Sequence, residues 1–372
     1  MITSSIMTNI CVYQCAYNRF QPDKGTVGLT GDYFGMKSQR RQQGVAMLTA
    51  LLIVALAVIV VTSIFVQQRY SIRLSNNLQD LEQAYQYAYA AEKMAGAWLA
   101  EDIKKTQDGT YDSLQDNWAA KIPPFEIDDD NGQAIGDVQV KIDDLQAYFN
   151  VNNLYDVKAK KPRASMIKIF QQMLQTADAL PLGFANTIVD WIDPNDELVD
   201  SGSAESDYYL MQDKPYRASN ALLLDPSELA LIKLDSLNEQ DSKQQALAEL
   251  MPLVTALPTP TAINVNTAPA KVLTAIGLSD QQLQAIVQER NTTAIKSTAA
   301  LQKLVQNLSK EQKVLLGVSS NYFRLSGQVR LGKSRLFLNS VLFRSAEGKV
   351  HVIMRQFNRV NLPSETDSEA IS

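Results

Sequence analysis

The chain has 372 residues, with 35 basic and 40 acidic side chains, two cysteines and one histidine. That length suits two domains of ordinary size. Five of the basic and two of the acidic residues precede Val45, so the remainder is acidic by eight and repels phosphate backbones. Both cysteines, Cys11 and Cys15, also precede Val45, and His351 lies in "KVHVIMRQF", which reads as a strand. Zinc sites and Ser-His or Cys-His catalysis therefore have almost no material in the body of the chain.

Residues 1–35 look like neither leader nor domain, and an early-called start at Met1 with a true start at Met36 accounts for them. "RRQQGVAMLTALLIVALAVIVV" follows, a basic pair and Gly44 running into an apolar segment. Val45 to Val66 carries no charge, and Thr49, Thr62 and Ser63 are its only polar residues. As a helix, 22 residues reach roughly 33 Å, enough to cross a bilayer's hydrocarbon. Lys37, Arg40 and Arg41 place its N-terminal end in the cytoplasm. No A-x-A-like exit follows, which argues against a cleaved secretory signal. The next forty residues contain no proline, and Ala84, Ala88, Ala91, Ala95 and Leu99 recur at helical spacing. The pattern predicts one continuous helix of about 60 residues, apolar all round in its first half and needing one covered face in its second.

This N-terminus resembles type IV pilin-like proteins. In that class a prepilin peptidase cuts after a short basic leader ending in glycine, and the new N-terminus is methylated. The resemblance implies the leader "MKSQRRQQG", residues 36–44, and a cut between Gly44 and Val45. Most members carry a glutamate as fifth mature residue, thought to pair with a neighbour's amino terminus. Here that position is Thr49. A buried acid without a partner is costly, so its absence fits a subunit lacking the usual neighbour. Among pilin-like proteins the large minor pseudopilin of type II secretion, the K component, is known for this lack. A plain N-terminal anchor is the alternative.

A β region begins near "PPFEIDDDNGQAIGDVQVKIDDLQAYFNVNNL", with Asp130-Asn131-Gly132 as a tight hairpin turn. Its end, with Asn150, Asn152, Asn153 and Leu154, is similar to the K component at the same place. From about Pro162 to Val318 the spacing turns helical. Asp225-Pro226-Ser227-Glu228 and Ser309 with Gln312 are capping signatures. Strand character returns in "YFRLSGQVRLGKSRLFLNSVLFR" and "KVHVIMRQF". The expected fold class is α+β: a pilin-like long N-terminal helix on an antiparallel sheet, with a large all-α insertion. The expected divisions are a discontinuous α/β domain at 67–160 and 319–361, an inserted helical domain at 161–318 and a disordered tail at 362–372.

Within the helical block, Asp190 to Leu210 holds seven carboxylates in 18 residues. Such a loop is either solvated or bridged by a hard cation, and its spacing does not fit an EF-hand. Trp191, Glu205, Tyr208 and Tyr209 match the K component's acidic segment, and that family has calcium in its helical domain. The resemblance thus implies calcium, with Asp193, Asp196, Glu205 and Asp207 as first-choice ligands.

Ile263 to Arg290 resembles a helix-hairpin-helix, with Asn266 or Thr267 expected to cap its first helix and Ser279 its second. Only Lys271 and Arg290 are basic in it, so nucleic acid is a poor electrostatic match. A membrane-anchored hairpin DNA receptor of the competence type is the alternative function; no nucleophile-base pair or phosphate loop supports an enzyme. The K-component resemblance implies a minor pseudopilin anchored once in the bacterial inner membrane, its C-terminal domain periplasmic. It implies a place at the pseudopilus tip with the I and J minor pseudopilins above the major pseudopilin. It also implies contact with the inner-membrane assembly platform, and a role in starting fibre assembly for secretion across the outer membrane.

Overall fold

A computed structural model describes residues 43–105, 111–176, 180–234, 240–332 and 334–357. The leader residues 36–42 and the tail 362–372 lie outside these. The chain divides into two units, Met1–Arg69 and Tyr70–Ser372.

In the first unit the described residues belong to the helix α1, Gln43–Lys105. Every residue from Val45 to Val66 is exposed. The polar groups in this apolar stretch satisfy themselves: Thr49 donates its hydroxyl to the Ala46 carbonyl at 2.9 Å, and Ser63 to Val60 at 2.7 Å. Among the described residues α1 is the one helix long and apolar enough to cross a membrane.

In the second unit the small-residue stripe of α1 is covered. Ala84, Ala88, Ala91, Ala95 and Leu99 are all buried in one core with Val138, Val140, Phe323, Leu325 and Leu338. Alanines bring the helix close to a five-stranded antiparallel sheet of order β1-β2-β9-β10-β11. Its strands are β1 Phe125–Asp128, β2 Ala134–Asp144, β9 Tyr322–Leu331, β10 Ser334–Arg344 and β11 Val350–Phe357. The β1–β2 turn is the Asn-Gly hairpin expected, with Gly132 at φ 75°. One charge lies in this interface. Burial raises the Glu92 carboxyl, but bidentate donation from Arg355, at 2.6 and 2.8 Å, and a 2.7 Å bond from Ser340 outweigh that and hold it below its usual pKa.

β2 pairs directly with β9, Asp144 opposite Phe323, although everything from residue 145 to 321 lies between them. The helices of that interval are α2 Ala164–Thr176, α3 Phe184–Ile192, α4 Ser206–Leu210, α5 Gln240–Leu250, α6 Ala270–Ala275, α7 Asp280–Thr292, α8 Thr298–Leu304 and α9 Lys310–Leu315. An early strand whose partner returns so much later is what a helical insertion into a sheet produces, so the fold class is the one expected.

Short strands stitch the insertion. β3 Phe149–Asn150 pairs in parallel with β6 Val254–Thr255, and β7 Ile263–Asn264 with β8 Leu316–Gly317. β4 Tyr155–Asp156 and β5 Lys161–Pro162 form a small hairpin. The two parallel pairs begin with the same motif, Phe-Asn-Val-Asn at 149–152 and Ile-Asn-Val-Asn at 263–266. In both, the first Asn side chain accepts from the second Asn amide at 3.1 Å. The buried asparagines then imitate strand partners: Asn152 both donates to and accepts from the Leu223 backbone, Asn150 does so with Leu257, and Asn266 with Ile295. Two-way amide pairing satisfies interior loop backbone that no ladder reaches.

Candidate functional site

The acidic segment leaves the C-terminal end of α3. Asp190, fully buried, accepts from the Val199 amide at 2.9 Å and from the Ser203 hydroxyl, which ties both limbs of the loop together. Asp193 follows at the helix C-cap, and one of its oxygens accepts from Asn195 Nδ2 at 2.8 Å. Its other oxygen is buried without a hydrogen-bond partner, and so are both oxygens of Glu205. Three carboxylate oxygens removed from water and unpaired are costly for any folded chain.

The electrostatics agree with that geometry. Burial, then the charges of Asp190, Asp193 and Asp196, push Glu205 up to about 8, with the Ser206 amide acting the other way. Burial and then Asp190 push Asp193 up to about 6. Asp196 is exposed yet bears on both groups, so it stands at the rim of the cluster. Asp207 is exposed in the first turn of α4 and is not among the principal charges acting on either. Of the four ligands expected from sequence, the structure thus gathers Asp193 and Glu205, with Asp196 beside them and Asp207 outside. Asp190 is the addition: its oxygens are taken by Val199 and Ser203, so it shapes the loop.

Hard, anionic, unpaired oxygens suit calcium, which takes oxygen ligands and tolerates irregular geometry. The donor set therefore fits that ion. A tighter carboxylate group exists elsewhere, where oxygens of Asp102, Asp112 and Asp116 lie within 4.8 Å of one another. Its carboxylates already have protein partners. Arg344, 2% exposed, donates to Asp112, to Asp102 at 3.4 Å, and to the carbonyls of Leu99 and Ser320 at 3.1 and 2.9 Å. Asp116 accepts from the Ser113 amide at 2.6 Å. The orphaned oxygens, not the closest packing, identify the better cation site.

Beside that knot Asp144 is fully enclosed and accepts from Gln146, Asn264, Thr267 and Ser320. Thr267 is thereby withdrawn from the capping role expected of it, and Asn266 is paired with Ile295. Pro269 stands at the N-cap of α6 instead, with no side-chain cap. Ser279 caps α7 in a full capping box with Gln282, as expected.

The helix-hairpin-helix turn is occupied by the chain itself. Gly277 has φ 86°, and a Cβ there would come within 2.4 Å of the Gln172 carboxamide. Gln312 donates to the carbonyls of Ile276 and Gly277 at 3.3 and 2.9 Å. Arg290 is turned inward to the Val265 and Ala268 carbonyls, at 2.9 and 2.6 Å. Glutamines fill the place where a phosphate would meet backbone amides, and one of the two cations is consumed.

The N-terminal residues are placed more simply. Gly44 and Val45 lie in the first turn of α1, and Thr49 is exposed on it, uncharged and self-bonded.

The family model described as type II secretion system protein K matches residues 147–259 and, in a second part, 263–319. Each part has one of the two Asn-Val-Asn motifs within its first six residues. The type II secretion system protein K of Pseudomonas aeruginosa is 34% identical over 333 residues, 87% of this chain and 96% of the relative. The chain belongs to the type II secretion system protein K family. The protein K of Aeromonas hydrophila is 28% identical over 345 residues, covering 87% and 99%. A chain in the crystal structure of the GspK-GspI-GspJ complex from enterotoxigenic Escherichia coli has the same fold, with a TM-score of 0.64 over 77% of this chain and 99% of that one, at 23% identity. Membership makes the chain a minor pseudopilin; the DNA-receptor alternative is not favoured.

Proposed function

We propose that this protein K acts at the tip of the pseudopilus with the I and J components and starts its assembly. The observation that carries the reading is Thr49: an exposed apolar helix whose fifth position after Gly44 is neutral and already hydrogen-bonded within its own turn. Such a helix offers no acid for a neighbour's amino terminus, so it joins a bundle without repeating along it. The insertion at 145–321 adds bulk that a repeating shaft subunit would have to accommodate at each step.

In this reading prepilin peptidase cuts between Gly44 and Val45 on the cytoplasmic face. The helix then anchors the subunit in the inner membrane, with its sheet and insertion in the periplasm, until the assembly platform passes it to the fibre above the major pseudopilin. Calcium at Asp193 and Glu205, with Asp196 at the rim, supplies charge neutralisation that holds the loop shut. The protein's work is binding and positioning, not catalysis.

Full-length protein co-expressed with the I and J components of its own host is expected to purify from membranes as a single complex of one copy of each. Recovery of protein K alone, or as a regular homopolymer, would contradict the tip assignment.

A further inference from the structure

Beyond the apolar segment, α1 runs on through a neck in which every residue from Gln67 to Gln79 is exposed. The sheet reaches the helix at Asn77, whose carbonyl accepts from the Ser334 hydroxyl at 3.4 Å. Between Val66 and that point the helix rises roughly 16 Å. This neck carries Arg69 and Arg73, four positions apart and so on one face of the helix, with Tyr70 beside them. No acidic residue stands between Asp32 and Asp80, so neither arginine has an acid within a turn of it along the helix. That stretch is cationic in a chain that is acidic by five overall. Tyr70, Ile72 and Leu74 are exposed as well, so the neck is both cationic and partly apolar.

The bilayer itself supplies the surroundings that such a neck fits. With Val45 to Val66 filling the hydrocarbon, the residues that follow enter the headgroup layer, which adds about 5–8 Å on each side. Arg69 stands roughly 5 Å past Val66, inside that layer. Arg73 stands about 10 Å past it, but helical Cα–Cβ bonds tilt toward the N-terminus, here back toward the bilayer. A long arginine stem lies along apolar surface while its guanidinium stays among polar groups, and a planar guanidinium matches phosphate oxygens two at a time. Tyrosine concentrates at this same level, its ring amphipathic. Another copy of the neck would bring two more cations to the same height, so repulsion disfavours it as the neighbour.

We propose that the neck of α1, through Arg69, Tyr70 and Arg73, binds the phosphate of anionic phospholipid in the periplasmic leaflet and so fixes the depth of the helix. This rests on the reading that the apolar segment spans the inner membrane, and it is independent of the tip assignment. An uncharged run slightly longer than the hydrocarbon sets its own depth only loosely. Two phosphate-binding cations and an interfacial ring at its outer end set it closely.

The test is a photo-crosslink to lipid. Full-length protein carrying Ser71→p-benzoylphenylalanine is reconstituted in vesicles of phosphatidylcholine with a minority of phosphatidylglycerol, and its lipid adducts are identified by mass spectrometry. Phosphatidylglycerol adducts are expected at about fivefold or more above their mole share, and at about their mole share once Arg69→Gln and Arg73→Gln are introduced together. Both changes lie on an exposed stretch of helix, so the loss does not report unfolding. Enrichment that survives the two changes, adducts in mole proportion from the start, or crosslinks at Ser71 to protein and not lipid would each overturn the proposal. A second position, Val61→p-benzoylphenylalanine, separates this from failure of the membrane reading. Lipid adducts at Val61 with none at Ser71 overturn the proposal alone, whereas none at either position overturns the membrane span as well.

Discussion

Chelating calcium at pH 8 lowers the melting temperature of the protein by roughly 5–10 °C relative to excess calcium. The estimate follows from mass action: an ion at about a hundred times its dissociation constant stabilises the folded state by about 2.7 kcal/mol, and each kcal/mol moves a large domain by about 2–4 °C. The pH dependence has a definite sign. Without calcium, Glu205 stands at about 8 and Asp193 at about 6, both above their ordinary values, so the folded state binds protons more tightly than the unfolded state does. Stability of the chelated protein therefore falls as pH rises from about 4 through about 8. Calcium requires the deprotonated carboxylates, so the stabilisation it brings grows over the same interval. Glu205→Gln abolishes the calcium response and flattens the pH slope, and it raises the melting temperature in chelator. Asp207→Asn leaves both intact. A full calcium response in Glu205→Gln would remove the loop from the account.

Arg344→Ala destabilises the sheet unit by about 3–5 kcal/mol, the range for removing one partner of a buried ion pair. The loss is large because two carboxylates, Asp102 and Asp112, share this one guanidinium, with Asp116 close beside them. Burial raises Asp112, and burial followed by the charges of Asp116 and Asp112 raises Asp102 to about 6, with Arg344 opposing both shifts. Without the arginine both rise further, so protonation relieves the variant: its deficit is smaller at pH 5 than at pH 8. Denaturant melts at the two pH values measure this, and adding Asp112→Asn restores part of the loss. An equal deficit at both pH values would mean that Arg344 acts through packing on Phe323, whose ring lies 4.8 Å from its guanidinium carbon, instead of through charge.

The helix α1 was legible because its signals are local: a charge-free run, then small residues at a spacing that puts Ala84, Ala88, Ala91 and Ala95 on one face. The hairpin at Gly132 and the capping boxes at Ser279 and Ser309 were legible for the same reason. Contacts between distant residues were not. Arg344 meets Asp112 across 232 positions, and nothing in either neighbourhood announces it. Thr267 reads as a helix cap, yet a buried carboxylate 123 positions away takes its hydroxyl. The acidic loop shows both limits. Its composition pointed to a cation, but seven similar carboxylates could not be ranked by spacing, and burial separates Glu205 from Asp207. One signal was available and missed: the repeated Asn-Val-Asn motif, which marks where each part of the insertion is stitched by a parallel strand pair.

In the proposed function, each step from peptidase to fibre requires the apolar helix to be released behind Gly44. Intact-mass and N-terminal peptide spectrometry of the protein extracted from its host's membranes reads that event directly. The account predicts a mature chain whose first residue is Val45, methylated on its amino group. A chain still carrying residues 36–44, or one cut beyond the apolar segment, would contradict it.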